Sequence, residues 1–446
     1  MLIGYKNVHR ISSPFYRIGL VAIRFAVILT LVIVTGCQRD EHQPGIISGG
    51  SMAPALLGRH YEVSCGDCKF VFACDGINIP ADRQTVCPNC GFAENELEPA
   101  QFVPADRVTI LPAEQLKRWD IVAVTLGNQS DESPQYAVKR IVALPDEELR
   151  FEHGDVLIDG AVAAKPLDVQ KSVRIPVFDS DYRRPSDNSL AKRMIRVPSS
   201  SALDDKSSPV KSLETLAGRK TSSVVDVENK IRFQPITGYR SKEAGEPVRV
   251  IKDFYAYNQK LSRKLNTVDQ LFLQFDILAE PNVPITIQVL GSYPVRISLN
   301  VESVDLEQDI GTETHHQSFE MPPRNGVGLK IEISNFDRRL YLVVNDCEIF
   351  DIESLVDPGQ ESGENLIPLE LEVAGGNCRL NRLQIWRDIY YFDQGSHCFS
   401  QTEPWRTGES GYFLLGDNVP ISVDSRHWEN PSVSHSQIMG VVSQTP

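Results

Sequence analysis

The chain has 446 residues, enough for two or three domains, and its 41% hydrophobic and 23% charged residues are typical of globular rather than disordered proteins. A formal net charge of -14 argues against nucleic acid as a partner, because phosphate binding needs a basic surface. The acidic balance favours solubility and does not identify a substrate.

The N-terminal segment 1–37 combines a basic stretch with the apolar run 25–36. It contains no acidic residue, because the first one in the chain is Asp40. This pattern predicts a cytoplasmic N-terminus and an exported body. Two interpretations stay open: a transmembrane anchor at 18–36, with Arg24 inside it, or a cleaved signal that resembles those of bacterial lipoproteins and leaves Cys37 lipidated. Both predict contact with membrane lipid and a location at the bacterial cytoplasmic membrane, with the body on the extracytoplasmic side.

The cysteines are unevenly distributed, since five of the nine lie between positions 65 and 90. Four of these form two Cys-x-x-Cys pairs whose separation is typical of zinc ribbons, and four thiolates complete a tetrahedral zinc site. We therefore predict a ribbon insert at 60–95 with a structural zinc and no cofactor for catalysis. The predicted ligands are Cys65, Cys68, Cys87 and Cys90. Two disulfides or a redox pair are the alternatives, and the sequence leaves open the state of Cys347, Cys378 and Cys398.

Segment 45–170 alternates short apolar runs with turns, which predicts strands rather than helices. Residues 121–125 and 137–142 fit such strands, and Asp159-Gly160 is a strong signal for a tight hairpin turn. We therefore assign 45–170 to the first part of a mainly β domain.

Three further segments follow with different patterns. Residues 171–230 are rich in Ser, Asp, Lys and Arg, as is typical of a flexible loop or linker. Residues 231–392 alternate apolar and polar side chains, for example at 329–334, and predict an antiparallel β-sandwich. Residues 393–446 carry a short apolar strand and are assigned to the second part of the mainly β domain.

Four segments carry a family resemblance, and in order along the chain they are Ser51–Leu56, residues 118–124, residues 136–145 and residues 416–426. Together they resemble the motifs of type I signal peptidases. The nucleophile motif of that family is similar to Ser51-Met52-Ala53-Pro54-Ala55-Leu56. The box of its catalytic lysine is similar to residues 136–145 around Lys139, and the preceding strand to residues 118–124. Its last box is similar to residues 416–426. Each motif is weak alone, but their order after a membrane segment makes coincidence improbable.

The resemblance implies a membrane-anchored serine endopeptidase with a mainly β core, into which a zinc ribbon and a β-sandwich are inserted. Such enzymes cleave signal peptides from secretory pre-proteins that have small residues before the cut. By this resemblance Ser51 is the nucleophile and Lys139 is its general base.

A lysine can serve as a base for serine only when it is neutral. Its reference pKa is about 10.4, so neutralising it near pH 7 costs about 4.6 kcal/mol. Apolar neighbours such as Val138, Ile141 and Val142 predict partial desolvation of Lys139, which disfavours the ammonium form.

The resemblance also implies a set of supporting residues. Ser422 is expected to orient the lysine amine by a hydrogen bond. Asp424 and Arg426 are expected to form a supporting ion pair, and Arg140 and Asp417 a second one.

The backbone N–H of Ser51 is expected to contribute to the oxyanion hole. Many relatives place a hydroxyl two residues earlier, where this chain has Gly49, so the second donor stays open. The pockets that select small substrate residues are expected to be lined by Ile47, Met52, Leu56 and Val138.

Two other classes of protein fit less well. A self-cleaving repressor with a serine/lysine pair would need a DNA-binding helix pair, which the sequence does not show. The alternative is a catalytically silent, membrane-anchored protein whose sandwich binds glycan or a partner. Retention of Ser51, Lys139 and Ser422 together argues against that alternative.

Overall fold

The computed structural model describes residues 43–98, 100–126, 135–182, 194–197, 225–227, 230–233, 251–279, 283–289, 295–310, 312–323, 328–355, 369–373, 378–392 and 404–444. These residues are mainly β, which confirms the mainly β class predicted from the sequence. The predicted anchor or signal, 1–37, lies outside them. Among the residues described, no helix is both long and apolar enough to cross a membrane. The chain divides into two units, Met1–Gln43 and Pro44–Pro446, and the elements below belong to the second apart from Gln43 itself.

A seven-stranded sheet, called the site sheet because it carries the candidate site, combines strands from both ends of the described chain. At its centre, Ile121–Leu126 and Gln135–Ala143 pair antiparallel and bury Val122, Val124 and Ile141 in one cluster. Segments 45–170 and 393–446 thus both contribute to it. Across the sheet, the strands are Gln43–Ile46, Arg107–Leu111, Ile438–Gln444, Ile121–Leu126, Gln135–Ala143, Gly411–Leu415 and Ser432–Ser434.

The cysteine-rich segment forms two small antiparallel sheets. The first contains Val71–Asp75, His60–Ser64 and Gln101–Val103, and the second contains Gln84–Thr85 and Asn95–Glu96. Its small core consists of cysteines and a few apolar side chains such as Val63, Phe72 and Leu97. So small a core buries little apolar surface, and segments of this kind usually need a metal or a disulfide for stability.

A four-stranded sheet packs beside the site sheet in a cluster that includes Leu149, Val156 and Phe413. The tight turn predicted at Asp159-Gly160 is confirmed, because both residues have positive φ and join two paired strands. Across this sheet, the strands are Ala161–Val162, Asp155–Ile158, Glu148–Glu152 and Trp405–Arg406.

Two further seven-stranded antiparallel sheets share one hydrophobic core. Alternate residues of their strands, such as Leu273, Phe275 and Ile277 in one sheet and Ile287 and Ile297 in the other, are buried in it. The first sheet contains Ile175–Asp179, Cys378–Arg387, Leu271–Ala279, Gly328–Ser334, Arg339–Val344, Cys347–Glu353 and Val225–Val227. The second contains Met194–Val197, Lys230–Phe233, Leu369–Val373, Ile285–Val289, Val295–Leu299, Ser303–Ile310 and Glu313–Glu320.

The structure differs from the sequence prediction in segment 171–230, which composition assigned to a loop or linker. Ile175–Asp179 forms a strand there and pairs with Cys378–Arg387. Ile175 and Phe178 are buried on this strand, and burial of two large apolar side chains outweighs the polar composition of the surrounding window. Most of residues 183–224 lie outside the described part of the chain.

Helices are short in the described ranges. The one α-helix there is Leu167–Val173, which buries Gln170 and Val173. The 3₁₀ turns are Ala256–Asn258, Phe336–Arg338 and His435–Gln437.

Candidate active site

Ser51 begins a tight turn that follows the strand Gln43–Ile46. Met52 and Leu56 are almost fully buried and join a hydrophobic cluster with residues of the site sheet. The Leu56 N–H donates to the Met52 carbonyl at 2.9 Å and closes the turn. The apolar residues of the motif therefore fix the backbone, while Ser51 itself stays partly exposed.

Lys139 lies in the middle of the strand Gln135–Ala143, opposite Val122 on the neighbouring strand. Its side chain is 4% exposed, and its Nζ atom lies 2.9 Å from the Oγ atom of Ser51. This distance is within hydrogen-bonding range. The two residues, 88 positions apart in sequence, are brought together because the turn packs on the face of the strand.

Burial lowers the pKa of Lys139 to about 8, because the ammonium form loses its hydration. The carboxylates of Asp424 and Asp417 act in the opposite direction and raise this pKa, while Arg426 lowers it. About a tenth of the amine is therefore neutral at pH 7, far more than for an ordinary lysine.

Asp424 and Arg426 form a buried, two-pronged ion pair. Arg426 Nε donates to Asp424 Oδ1 at 2.9 Å, and Arg426 Nη2 donates to Asp424 Oδ2 at 2.9 Å. Burial alone would raise the pKa of Asp424, but the neighbouring His427 and the hydrogen bonds and positive charge of Arg426 lower it well below its usual range. The carboxylate therefore stays ionised and also accepts the N–H of Gly416 at 3.1 Å.

Arg140 and Asp417 form a second buried pair of the same kind. Arg140 Nε and Nη2 each donate to one carboxylate oxygen of Asp417 at 2.7 Å. Arg140 Nη1 donates to the carbonyl of Trp119, also at 2.7 Å. These contacts tie the strand of Lys139 to residues 416–418, which follow the strand Gly411–Leu415.

Gly416 is required by close approach rather than by a positive φ. A Cβ atom there would lie 2.2 Å from Ser422 Oγ and 2.4 Å from the carbonyl oxygen of Ser51. Ser422 is buried, and its Oγ has no hydrogen-bond partner among the described residues. In this conformation it therefore makes no hydrogen bond to Lys139, although it lies beside the nucleophile loop.

The other predicted residues belong to the nucleophile loop or to the hydrophobic cluster on which it packs. A Cβ atom on Gly49 would meet nothing within 4 Å, so the position where relatives carry a hydroxyl is open space. The predicted pocket residues lie in one cluster, but three are almost fully buried and only Val138 keeps appreciable exposed surface. These four residues are Ile47, Met52, Leu56 and Val138.

One contact of the nucleophile loop was not predicted from the sequence. The backbone N–H of Asn418 donates to the Ser51 carbonyl at 3.0 Å, and its Nδ2 donates to the Gly50 carbonyl at 3.0 Å. Asn418 lies within the last motif, so its place beside Asp417 is the signal that could have drawn attention to it.

The four predicted zinc ligands come together within the cysteine-rich segment. Their sulfur atoms all lie within 4.8 Å of one another, with Cys65 and Cys90 at 3.6 Å and Cys68 and Cys87 at 3.7 Å. Sulfurs at the corners of a tetrahedral zinc site are about 3.8 Å apart, since Zn–S is about 2.3 Å. The geometry therefore fits a zinc ion.

The two Cys-x-x-Cys turns have matching backbones. In the first, Cys65 N donates to the Phe70 carbonyl at 2.9 Å, and in the second, Cys87 N donates to the Phe92 carbonyl at 2.9 Å. Cys74 lies outside the group, is fully buried, and burial raises its pKa to about 12. It is therefore a core thiol and not a ligand.

The comparison with protein families gives one match. Residues 19–221 match the family described as "Signal peptidase, peptidase S26". The match supports this family and, with it, a signal peptidase-like serine peptidase. In this family the substrates are exported pre-proteins and the enzymes are generally membrane-associated. The matched range includes the residues from Ser51 to Lys139, whereas the last motif, 416–426, lies beyond it.

Comparison with curated proteins gives no match. Among solved structures, the chain is similar to the Caenorhabditis elegans galectin LEC-6, with 11% identity, TM-score 0.21, and coverage of 26% of this chain and 81% of that one. It is similar to sheep Galectin-11 in complex with glycerol, with 11% identity, TM-score 0.21, and coverage of 26% and 89%. It is also similar to the Ruminococcus gnavus IT-sialidase CBM40 bound to alpha2,3 sialyllactose, with 13% identity, TM-score 0.22, and coverage of 28% and 80%.

Proposed function

We propose that this protein is a signal peptidase I-like serine endopeptidase with Ser51 as nucleophile and Lys139 as general base. The observation that carries the proposal is the 2.9 Å separation of Lys139 Nζ and Ser51 Oγ in a site where the lysine is buried. The match of residues 19–221 to the family supports the same activity.

The reaction proceeds through an acyl-enzyme. Neutral Lys139 takes the proton of the Ser51 hydroxyl as Oγ attacks the carbonyl carbon of the scissile peptide bond. The Ser51 N–H stabilises the resulting oxyanion. The tetrahedral intermediate then expels the amine of the mature protein, which takes the proton from the Lys139 ammonium.

Hydrolysis repeats these steps with water. Lys139 removes a proton from a water molecule, which attacks the ester carbon of the acyl-enzyme. Collapse of the second tetrahedral intermediate releases the signal peptide carboxylic acid, which loses its proton to solvent, and Ser51 Oγ takes the proton held by Lys139. The lysine returns to its neutral form, so no cofactor takes part in the chemistry.

The buried ion pairs hold the dyad in place. Arg140 with Asp417 keeps residues 416–418 against the strand of Lys139, and Arg426 with Asp424 fixes the conformation within residues 416–426. Substrates are exported pre-proteins with small residues before the cut. Ile47, Met52, Leu56 and Val138 shape the surface that accepts them, with Val138 contributing the exposed part.

The domain organisation belongs to the same proposal. Segments 45–170 and 393–446 form the peptidase core, since both supply strands to the site sheet. The ribbon, 60–95, and the sandwich, 231–392, are insertions in that core. Segment 1–37 provides attachment to the bacterial cytoplasmic membrane, either as a transmembrane anchor or, after cleavage of a signal, through a lipidated Cys37, with the core on the extracytoplasmic side.

A cleavage assay tests the activity. The full-length protein, solubilised in detergent, is incubated with several secretory pre-proteins beside a Lys139→Ala variant. We expect cleavage after the signal peptide by the unaltered protein and none above background by the variant. If no pre-protein is cleaved by the unaltered protein, the activity is rejected and a non-enzymatic, membrane-anchored binding protein becomes the better interpretation.

Cys65, Cys68, Cys87 and Cys90 hold a structural zinc in this proposal. Hydrogen bonds from its neighbours, first from Cys68, lower the pKa of Cys65, while the contact from Cys65 raises the pKa of Cys87. Four adjacent thiols cannot all ionise without a cation, and zinc would supply that charge.

Metal analysis tests the zinc proposal. We expect about one equivalent of zinc in the purified protein and a loss of that metal in Cys87→Ser. Cys74→Ser is the matched control and should keep the zinc, because Cys74 lies outside the group. Less than about half an equivalent in the unaltered protein would count against the site.

A further inference from the structure

Residues 254–259, called the bridging segment, lie next to the nucleophile loop although the two are far apart in sequence. They include the 3₁₀ turn Ala256–Asn258. They lie outside the range that matches the peptidase family, 19–221. Their contacts with Gly50 and Asn418 therefore add something to the site that the family motifs do not describe.

The first contact is between Tyr257 and Gly50. Tyr257 is fully buried, and a Cβ atom on Gly50 would lie 2.4 Å from its ring carbon Cε1. The ring thus packs directly on the backbone of the residue before the nucleophile. A buried aromatic ring in close packing leaves the adjacent backbone little room to move.

The second contact is a pair of side-chain amides. Asn258 Nδ2 donates to Asn418 Oδ1 at 2.6 Å, and Asn418 Nδ2 donates to Asn258 Oδ1 at 2.9 Å. The same Asn418 Nδ2 donates to the Gly50 carbonyl at 3.0 Å. Asn258 therefore fixes the orientation of the Asn418 amide, since a flipped amide would turn its oxygen toward the Gly50 carbonyl.

The position of the Gly50 carbonyl determines the direction of the Ser51 N–H. Both groups belong to one planar peptide unit, in which the C=O and the N–H point in opposite directions. Asn418 holds this carbonyl through Nδ2 and holds the Ser51 carbonyl through its backbone N–H at 3.0 Å. The peptide plane that carries the proposed oxyanion donor is therefore restrained on both sides.

The bridging segment is itself attached to the rest of the molecule. Gln259 Oε1 accepts the Val86 N–H at 3.0 Å, and Gln259 Nε2 donates to the Val86 carbonyl at 3.0 Å. Arg387 Nη2 donates to the Phe254 carbonyl at 2.8 Å. The segment thus connects the ribbon, through Val86, and the sandwich, through Arg387, to the nucleophile loop.

We propose that Asn258 and Tyr257 are positioning residues, which act through Asn418 and Gly50 to aim the Ser51 N–H at the oxyanion. The proposal rests on the proposed peptidase function. Its consequence is that the bridging segment, which lies outside segments 45–170 and 393–446, contributes to transition-state stabilisation. Weaker alignment of this donor lowers kcat more than it changes KM, because the oxyanion forms only after substrate has bound.

Kinetics of an Asn258→Ala variant test the proposal. We expect kcat to fall roughly 10- to 100-fold, somewhat less than the usual loss of a complete oxyanion donor, with KM changed less than about threefold. The midpoint of the pH profile should not move, because Lys139 is untouched. Rates are expressed per folded enzyme, measured by thermal unfolding, and the exposed neighbour variant Lys260→Ala is the control.

A double-mutant cycle with Asn418→Ala shows whether the effect passes through Asn418. Adding Asn258→Ala to that variant should cause little further loss in kcat. Should Asn258→Ala fail to fold, Asn258→Asp replaces it, since it keeps the side-chain shape but lacks the donor that orients Asn418. It should show the same selective fall in kcat.

The outcomes separate the two proposals. Absence of cleavage by both the unaltered protein and Lys260→Ala rejects the peptidase function. Normal cleavage by these two, together with unchanged kcat in Asn258→Ala or Asn258→Asp, overturns the positioning role and leaves the peptidase function intact. The positioning role is also overturned if KM rises by as large a factor as kcat falls, or if the two substitutions reduce kcat additively in the double-mutant cycle.

Discussion

Lys139 is subject to two opposing influences, burial and the charges of its neighbours. Burial lowers its pKa, whereas Asp424 and Asp417 raise it, and the result is about 8. At pH 7 about a tenth of the amine is then neutral, so forming the base costs about 1.4 kcal/mol instead of about 4.6 for an ordinary lysine. The nearby carboxylates thus limit how far the site can favour the neutral amine.

The pH dependence of cleavage follows from this pKa. We expect kcat/KM to rise with pH through a midpoint near 8, because the free enzyme acts only when Lys139 is neutral. The measurement is a pH–rate profile with one pre-protein. A rate that stays constant across this range would mean that another group is the base.

The stability of the folded protein depends on the same group. Between the folded pKa of about 8 and the ordinary lysine value of about 10.4, the unfolded chain binds more protons than the folded one. Stability of the unaltered protein should therefore rise over this range by about 3 kcal/mol relative to Lys139→Met, which lacks the amine.

Urea unfolding of both proteins at pH 7 and pH 10 measures this difference. If the free energy of unfolding changes by the same amount in both proteins between these pH values, the lysine is not buried as the structure describes.

Among the elements of the site, the turn 416–418 packs closely on the nucleophile loop. Gly416 leaves room for both the Ser51 carbonyl and the Ser422 hydroxyl, and a Cβ atom there would lie under 3 Å from each. We expect Gly416→Ala to reduce kcat/KM by roughly 100-fold or more, because a displacement of about 1 Å at a catalytic group costs about this much.

Gly408→Ala is the matched control for that variant, since a Cβ atom on Gly408 would meet nothing within 4 Å. Steady-state kinetics and thermal unfolding of both variants provide the comparison. Similar kcat/KM values for the two would contradict the close packing of the turn.

Local patterns predicted several elements well. The alternation at 121–125 and 137–142 indicated the strands that the structure places at Ile121–Leu126 and Gln135–Ala143. The Asp159-Gly160 turn was predictable because its positive φ values favour these residue types. The strand Ile175–Asp179 was not, since its pairing partner, Cys378–Arg387, lies about two hundred positions away.

At the scale of the whole molecule, a buried charge cluster joins segment 45–170 to residues beside the two sheets that share one hydrophobic core. Lys165 Nζ lies 2.5 Å from a carboxylate oxygen of Asp337 and 2.9 Å from one of Asp388. The same ammonium lies over the rings of Trp119 and Tyr391, at 5.4 and 5.5 Å from their centroids. Burial raises the pKa of Asp388 to about 7, although Lys165 lowers it.

Replacement of this lysine should leave two carboxylates buried without a counter-charge. We expect Lys165→Met to lower the free energy of unfolding by about 3–5 kcal/mol at pH 8 and by less at pH 5, where the Asp388 carboxyl, with its pKa raised by burial, binds a proton. Urea unfolding at the two pH values tests this. A loss independent of pH would indicate that only packing was affected.

The sequence predicted the residues of the site better than their contacts. Ser51 and Lys139 were identified from motifs, and the mainly β class from alternation. The contact between Asn258 and Asn418 joins residues 160 positions apart and has no local pattern, so only the folded structure reveals it. The catalytic roles of Ser51 and Lys139 stay predictions that need a chemical test.

Trapping the acyl-enzyme provides that test most directly. The full-length protein is mixed with a pre-protein, quenched in acid within the first turnover, digested and analysed by mass spectrometry. We predict a signal peptide esterified to Ser51 in the unaltered protein and no such adduct in Lys139→Ala. Cleavage without an adduct at Ser51, or an adduct on another residue, would contradict the Ser51–Lys139 mechanism.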